Sequence, residues 1–124
     1  MISGTGIDVI EISRFEKLLR KHADLSRIYG EEELEQLDLS GKAQSYAANF
    51  CAKEAFAKAL GTGVRGFRLS EVQLLRDETG RPFFKLLGNA QSIVSQAGLV
   101  FHISVTHSGT ITAAFAVAER ADNY

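Results

Sequence analysis

The alternation of apolar and polar side chains predicts that the chain begins with a strand followed directly by a helix. Along the segment Ile2–Ile10, successive side chains point to opposite faces, which puts Asp8 on the same face as Gly6 and Ile10. From about residue 11 to residue 22, the apolar positions recur at helical spacing instead. Asp8 is therefore an isolated acid in a strand that is otherwise largely apolar or glycine-rich.

The remaining pattern predicts three more helices and two pairs of strands. Ser13 is expected to cap the first helix, and Gly61 stands where glycine favours the end of a helix. The other predicted elements are a helix over residues 31–37, a helix over 43–60, two strands within 68–88 joined by a turn at 77–80, a helix over 89–98, and a hairpin over 100–119 with its turn at 108–109. This order predicts a single α+β domain over residues 1–124, in which a small antiparallel sheet packs with helices.

Composition narrows the classes of protein to which the chain can belong. Its 124 residues are 45% apolar, which is enough for one core, and the net charge of -1 offers no general attraction for nucleic acid. No apolar run reaches the roughly 20 residues of a membrane span, and the N-terminus lacks the basic start of a signal peptide. These features predict a cytoplasmic protein that binds no membrane. Cys51, the single cysteine, is expected to be a buried structural thiol.

The Ala-rich stretch FCAKEAFAKALGTG carries charged residues where an apolar helix could be uninterrupted. Glu54 and Lys58 are four residues apart and therefore share a face, and this pair could simply stabilise a solvated helix by about 0.2–0.5 kcal/mol. The surrounding residues are mostly alanine and phenylalanine, which leaves little room for a fully solvated side. A mostly buried helix that keeps an acid and a base favours a functional role for both.

Asp8 and Glu54 lie on separate elements and could converge on one metal ion. Two carboxylates, with water and phosphate oxygens, are the ligand set that Mg²⁺ commonly takes. Lys58, one turn beyond Glu54, could meet the same phosphates as a point charge. The following loop, Gly61-Thr62-Gly63, offers backbone N–H groups without side-chain obstruction. The alternative is that Asp8 is merely a polar residue on the exposed side of a half-buried strand.

Three segments together resemble the holo-(acyl-carrier-protein) synthases, the small single-repeat branch of the 4′-phosphopantetheinyl transferases. The segments are GTGIDVIEISRFEKLL, FCAKEAFAKALGTG and ISVTHSGTITAAFAVAE, and their order and spacing extend the resemblance over essentially the whole chain. The family patterns match Gly6-Ile7-Asp8, then Lys53-Glu54-Ala55 with Lys58 and Gly61, and finally Ser104-Val105-Thr106-His107.

The resemblance implies a function in fatty acid biosynthesis. These enzymes transfer the 4′-phosphopantetheine arm of coenzyme A to a serine of apo acyl carrier protein and release adenosine 3′,5′-bisphosphate. By resemblance, Asp8 and Glu54 are catalytic Mg²⁺ ligands, Lys58 contacts the diphosphate, and His107 contacts coenzyme A. Either Glu54 or a metal-bound water could accept the serine proton. The resemblance also implies a homotrimer with sites at subunit interfaces, so that His107 comes from a neighbouring chain.

One side of the first predicted helix is basic. Arg14, Lys17 and Lys21 fall in one sector together with Arg20, opposite the apolar positions. Such a stripe can be only the solvated face of an amphipathic helix. Acyl carrier proteins are acidic along the helix that follows their modified serine. The resemblance therefore implies that Arg14, Lys17 and Lys21 bind the carrier protein through complementary charge.

One position departs from the family pattern. Many relatives carry a basic residue where this chain has Asn49, and the 3′-phosphate of coenzyme A needs cationic neighbours. Lys42, Arg65 and Arg68 are the candidates to compensate. The other two histidines, His22 and His102, match nothing in the family pattern, and we assign them no role.

Two other classes of function remain as alternatives. A non-catalytic coenzyme A or nucleotide-binding module would need the glycine-rich loop but not two carboxylates arranged for a metal. A basic-helix module that binds RNA would usually show a larger positive charge and exposed stacking aromatic residues. The pair of Asp8 and Glu54 argues against the first, and the net charge of -1 argues against the second.

Overall fold

The computed structural model describes residues 1–121 and has the expected α+β architecture. Its elements, in chain order, are β1 (Ile2–Glu11), α1 (Ser13–Arg20), α2 (Glu31–Ser40), α3 (Ala43–Leu60), a 3₁₀ turn (Leu69–Glu71), β2 (Val72–Arg76), β3 (Pro82–Leu86), α4 (Gly88–Ala97), β4 (Leu99–Ser108) and β5 (Ile111–Arg120).

The strands form two antiparallel sheets. The main sheet has the order β1-β5-β4, and β2 pairs with β3 in a separate hairpin. Both predicted strand pairs are confirmed: β4 and β5 pair up to Ser108 and Ile111 around a turn at Gly109, whose φ is 58°. In the other hairpin, the carboxylate of Asp77 accepts the backbone N–H groups of Thr79 and Arg81, which closes the predicted turn.

The first helix is shorter than predicted, and Ser13 does not cap it. Helix α1 covers Ser13–Arg20, not residues 11–22. Ile12 already has helical backbone angles, with φ of -65° and ψ of -33°, and its carbonyl accepts the N–H of Phe15. Ser13 is therefore inside the helix and makes no side-chain capping bond. The chain passes directly from β1 into α1 because the N–H of Ile12 still bonds Thr110 beside β5.

The second helix is longer than predicted, whereas the third has the predicted bounds. Helix α2 continues three residues past position 37, to Ser40, and ends at Gly41 with a left-handed φ of 64°. Helix α3 covers Ala43–Leu60, and Gly61 follows it with φ of 92°. The segment before β2 is a 3₁₀ turn over Leu69–Glu71 where we predicted the start of a strand.

Helix α3 is buried and crosses one face of the main sheet. We call this the inner face and the opposite one the outer face. Most α3 side chains have little solvent exposure, as expected for a helix that is apolar nearly all round. The contact is close because small residues meet across it, namely Gly4 and Gly6 of β1, Ala114, Ala116 and Ala118 of β5, and Ala47, Ala52, Ala55 and Ala59 of α3.

The outer face of the main sheet is uncovered by this chain and carries apolar side chains. Ile7 is 61% exposed, Val9 is 56% exposed, and Phe115 is 45% exposed directly opposite Ile7 in the strand register. In the part of the chain that the structure describes, no helix combines the length and the apolar character needed to cross a membrane.

Candidate active site

Asp8 and Lys58 meet at the edge of the main sheet, where β1 passes over α3. Asp8 lies on the inner face with Gly6 and Ile10, as the alternation predicts. The Nζ atom of Lys58 donates to the carbonyl of Ile7 at 2.9 Å and lies 3.4 Å from Oδ1 of Asp8. The Asp8 side chain is 21% exposed, so this carboxylate is reachable from solvent.

Glu54 lies close enough to these two residues to be affected by their charges. Partial burial raises the pKa of Glu54, and the neighbouring carboxylate of Asp8 raises it further. Lys58 and Arg14 act in the opposite direction and lower the pKa of Glu54. Lys58 forms its ion pair with Asp8, not with Glu54, so the two α3 residues do not form the simple helix-stabilising pair. Two acids that repel each other make a region suited to a cation.

The donor set at this position fits a hard divalent cation. Asp8 and Glu54 offer carboxylate oxygens only, and residues 1–121 contain no group of three or more His, Cys, Asp or Glu side chains that could hold a metal ion. Mg²⁺ commonly takes one or two protein carboxylates and fills its other positions with water and phosphate oxygens. The arrangement therefore fits an ion shared between protein and a phosphate substrate.

The glycine-rich loop lies at the end of the helix that carries Glu54 and Lys58. The N–H of Gly61 is already bonded to the carbonyls of Ala57 and Lys58. The N–H groups of Thr62 and Gly63 bond nothing among the described residues, and Gly63 is exposed with a φ of 65°. Two of the three residues of this loop can therefore donate backbone hydrogen bonds to an anion.

Arg14 of α1 belongs to the same region. Its guanidinium carbon lies 5.1 Å from the ring centre of Phe50 and 5.8 Å from that of Phe15, which are distances typical of cation–π contacts. Its charge also acts on Glu54. Lys17 and Lys21 are exposed, within α1 and just after it. Arg14 is thus placed between the acidic pair and the basic face of α1.

His107 lies apart from these residues within one chain. It lies near the end of β4 and is paired with Thr112 of β5, whereas Asp8 is on β1 and is paired with Ala114. Strand β5 separates the two, and strand spacing puts the β1 and β4 backbones about 10 Å apart. His107 is exposed, while His102 pairs with Glu119 on the outer face at 3.0 Å.

Cys51 is a structural thiol, as predicted. Its side chain is fully buried, and its Sγ donates to the backbone carbonyl of Asp8 at 3.1 Å. Burial raises the pKa of Cys51 to about 12, and the Asp8 carboxylate adds to this shift. The thiol therefore stays protonated near neutral pH and anchors β1 to α3 beneath Asp8.

Asn49, the departure from the family pattern, faces the core. Its side-chain amide donates to Oε2 of Glu33 and to the carbonyl of Leu74, both at 3.0 Å, and Asn49 is only 3% exposed. The departure therefore concerns interior packing and does not alter the solvent-reachable region around Asp8. The proposed substitutes Lys42, Arg65 and Arg68 are all exposed.

Sequence reasoning missed Glu33 and assigned no role of its own to Lys53. Both are fully buried, and they form an ion pair of 2.6 Å between α2 and α3. Acids at the start of a helix such as α2 are ordinarily explained by the helix dipole, which favours negative charge there. The polar position of Lys53 among alanines was the one signal available from sequence, but its partner is 20 residues away.

Sequence comparisons identify the family to which the chain belongs. The family profile of the 4′-phosphopantetheinyl transferase superfamily matches residues 4–116 of this chain. A holo-[acyl-carrier-protein] synthase from Treponema denticola is 45% identical over 122 residues, covering 96% of this chain and 99% of that protein. A holo-[acyl-carrier-protein] synthase from a Geobacter species is 41% identical, covering 97% of this chain and all of that protein.

Solved structures support the same assignment. The crystal structure of holo-[acyl-carrier-protein] synthase from Neisseria meningitidis superposes with a TM-score of 0.88 at 33% identity, covering 97% of this chain and 100% of that one. The Bacillus anthracis enzyme in complex with CoA (3′,5′-ADP) gives a TM-score of 0.80 at 31% identity, covering 97% and 98%. The chain therefore belongs to the 4′-phosphopantetheinyl transferase superfamily and is an enzyme of its holo-[acyl-carrier-protein] synthase branch.

Proposed function

We propose that the protein transfers 4′-phosphopantetheine from coenzyme A to a serine of apo acyl carrier protein, in the cytoplasm and in support of fatty acid biosynthesis. The observation that carries this proposal is the ion pair of Asp8 with Lys58, whose charges act on Glu54, at the end of the helix that leads into loop 61–63. The serine oxygen forms a bond to the phosphorus that bears the pantetheine arm. The bond from that phosphorus to the oxygen of the adenosine 5′-phosphate breaks, and adenosine 3′,5′-bisphosphate leaves. The proton of the serine hydroxyl passes to Glu54 or to a water molecule.

Several residues of this chain would together neutralise and orient the negatively charged diphosphate. Asp8 and Glu54 would hold Mg²⁺, which supplies Lewis-acid neutralisation of the phosphate oxygens when bound. Lys58 contributes a positive charge from the end of α3, where its ammonium is already held by the Ile7 carbonyl. The N–H groups of Thr62 and Gly63 orient the phosphate oxygens.

The direct test is mass spectrometry of a carrier protein incubated with this enzyme, coenzyme A and Mg²⁺. We expect the carrier protein to gain the mass of one phosphopantetheine group, and we expect no gain when its acceptor serine is replaced by alanine. Chelation of the metal should stop the reaction. Binding of coenzyme A without any modified carrier protein would instead support the alternative, a non-catalytic coenzyme A-binding module.

The same region suggests how the carrier protein docks. Lys17 and Lys21 are exposed on the side of α1 that continues from Arg14, and Arg14 reaches Glu54 electrostatically. A carrier protein with an acidic helix could contact this face while its serine approaches Asp8. Lys17 and Lys21 would then steer and orient the carrier protein, and Arg14 would lie between the docking surface and the reacting groups.

Reversing both lysines, Lys17→Glu with Lys21→Glu, is expected to raise the KM for carrier protein on the order of 10-fold at low salt. Each exposed pair contributes only about 0–1 kcal/mol, but reversal adds repulsion to the lost attraction. The KM for coenzyme A should change little, and the neutral double variant with glutamines should give a smaller effect. The difference in carrier-protein KM between the charge-reversal variant and the wild type should shrink near 1 M salt, where the Debye length is about 3 Å. An unchanged carrier-protein KM at low salt would mean that the basic face is only solvated.

The uncovered outer face of the sheet supports a homotrimer, in which the partner chain brings His107 to the site. Ile7, Val9 and Phe115 form a contiguous apolar surface on neighbouring strands. Soluble proteins usually bury such surfaces against a partner. His107 lies on the strand at the opposite sheet edge from Asp8, and in the proposed trimer His107 of one chain would join Asp8 of a neighbouring chain at one ligand.

Light scattering on dilute protein is expected to give three times the chain mass of 13.5 kDa. Phe115→Lys should lower this mass, because a charge would be buried in the subunit contact. Leu39→Lys is the matched control: Leu39 is 89% exposed near the end of α2, away from the sheet, and the mass should not change. A monomeric mass together with full activity would refute both the trimer and the shared site.

A further inference from the structure

Glu33 of α2 and Lys53 of α3 form an ion pair in the protein interior. Their Oε1 and Nζ atoms are 2.6 Å apart, and neither side chain has any solvent exposure. The Lys53 ammonium also donates to the carbonyl of Leu69 at 3.1 Å and to the carbonyl of Val72. Lys53 thus joins α2, the 3₁₀ turn and the start of β2 to α3 at a single point.

The carboxylate of Glu33 is bonded on all sides. It accepts the N–H of Gly30 at 3.1 Å, the side-chain amide of Asn49 at 3.0 Å and the N–H of Leu74 at 3.1 Å, in addition to Lys53. Burial alone raises the pKa of Glu33 and lowers the pKa of Lys53, so each charge depends on the other. Among the described residues, no buried side-chain polar atom lacks a partner. Each buried side-chain polar atom of this network therefore has a hydrogen-bond partner.

Lys53 is next to the candidate metal ligand in sequence but faces the other way. Consecutive helix residues project about 100° apart, so Lys53 points into the core while Glu54 faces the site. The segment from 61 to 71 leaves α3 at the glycine-rich loop and returns to it where Lys53 binds the Leu69 carbonyl. Most of the intervening residues are exposed, and Phe67 is the buried one. Lys53 is thus the polar tie from α3 to the far end of this segment, where the carboxylate of Glu71 also accepts the backbone N–H groups of Arg68 and Asn89.

We infer that Lys53 and Glu33 are positioning residues, which hold the segment 61–71 at a fixed distance from the turn of α3 that carries Glu54. This inference rests on the proposed function, in which loop 61–63 binds the diphosphate of coenzyme A. A core that needed only stability could use an apolar pair of similar volume. A lysine instead reaches two backbone carbonyls at once, which specifies where the segment lies.

The test uses the double variant Glu33→Gln with Lys53→Met. It removes both buried charges together, and the glutamine oxygen still accepts the N–H of Leu74. The single variant Lys53→Met would leave an unpaired buried carboxylate and lose the fold too readily to be informative. The double variant is expected to fold and to keep wild-type exchange rates in β1 and β5. Among the hydrogen-bonded backbone amides of segment 61–71, those of Arg65, Arg68 and Glu71 should exchange with deuterium at least about 10-fold faster than in the wild type.

The matched control is Glu32→Gln with Lys85→Met. Glu32 is the neighbour of Glu33 on α2, and it forms an exposed ion pair with Lys85 of β3. This control removes one acidic and one basic charge, as the test variant does, but from the protein surface. It should leave both exchange in segment 61–71 and all kinetic constants unchanged.

Kinetics distinguish positioning from general stability. The double variant should raise the KM for coenzyme A by about 10-fold, the size typical when a group that supports a ligand site is removed, while the KM for carrier protein stays the same. A purely structural role would lower kcat by reducing the folded fraction and would leave both KM values unchanged. That pattern, or unchanged exchange in segment 61–71, would overturn the inference. The exchange measurement needs no turnover, so it decides the inference even if the wild type transfers nothing.

Discussion

Replacing Asp8 with Asn, or Glu54 with Gln, is expected to abolish metal-dependent transfer and leave the fold intact. Both changes preserve side-chain volume and remove one negative charge from a solvent-reachable position. Each would take a hard oxygen ligand from an ion that the protein holds with only two side chains. We expect turnover to fall by at least about 10²–10³-fold, the size seen when one group that stabilises transition-state charge is lost.

The measurement is turnover at saturating Mg²⁺, with metal affinity followed separately by titration with Mn²⁺. Glu11→Gln is the control, since Glu11 is an exposed acid at the last position of the same strand. Unfolding curves should be similar for all three variants. Near-wild-type turnover in the Asp8 or Glu54 variant would remove that residue from the proposed metal site.

Local sequence pattern predicted the parts of the site that depend on one element at a time. Alternation along β1 was enough to put Asp8 on one face with Gly6 and Ile10, although it did not show that α3 covers this face. The four-residue spacing was enough to put Lys58 one turn from Glu54. The sequence hypothesis concerned the convergence of Asp8 and Glu54 on a metal ion, whereas the contact across the two elements that the structure shows is the 3.4 Å ion pair of Asp8 with Lys58. The helical run 43–60 was predictable to the residue because glycine follows it and alanine fills it.

The interior polar network could not be predicted because it depends on contacts between distant segments. Glu33 is one of three consecutive acids, and nothing local distinguishes it from its exposed neighbours. It is buried because α2 packs against β2, where Leu74 supplies an N–H to the carboxylate. Asn49 was interpreted through the family pattern as a missing ligand contact, although its amide completes this network. A match to a family pattern identifies the position of a residue in the sequence, but it does not show which way the side chain points.

Gly6→Ala is expected to cause the largest loss of stability among single substitutions on β1. A Cβ atom at this position would lie 2.8 Å from the backbone nitrogen of Ala59 and the same distance from the Cβ of Lys58, and closer still to the carbonyl oxygen of Ala55. Real Cβ atoms essentially never come within 3.0 Å of such neighbours. Strand β1 would have to move away from α3, which would also separate Asp8 from Lys58.

Denaturant unfolding should therefore show a decrease of at least about 3 kcal/mol in the free energy of unfolding, at the upper end for overpacked cores. Gly41→Ala is the matched control. Gly41 has a left-handed φ of 64° with no atom within 4 Å of an added Cβ, so only backbone strain of about 1–2 kcal/mol applies there. A loss at Gly6 no larger than the loss at Gly41 would mean that β1 and α3 can separate at little cost.

A second-site test distinguishes this backbone clash from ordinary side-chain crowding. Truncating Ala55 to Gly would relieve crowding between side chains, but the nearest obstacle at Gly6 is the carbonyl oxygen of Ala55, which glycine retains. We therefore expect Ala55→Gly to give no rescue of Gly6→Ala and to lower the free energy of unfolding further, by about 1 kcal/mol, because glycine is unfavourable within a helix. Recovery of stability in the double variant would show that side-chain volume, not backbone approach, makes glycine necessary beside Asp8.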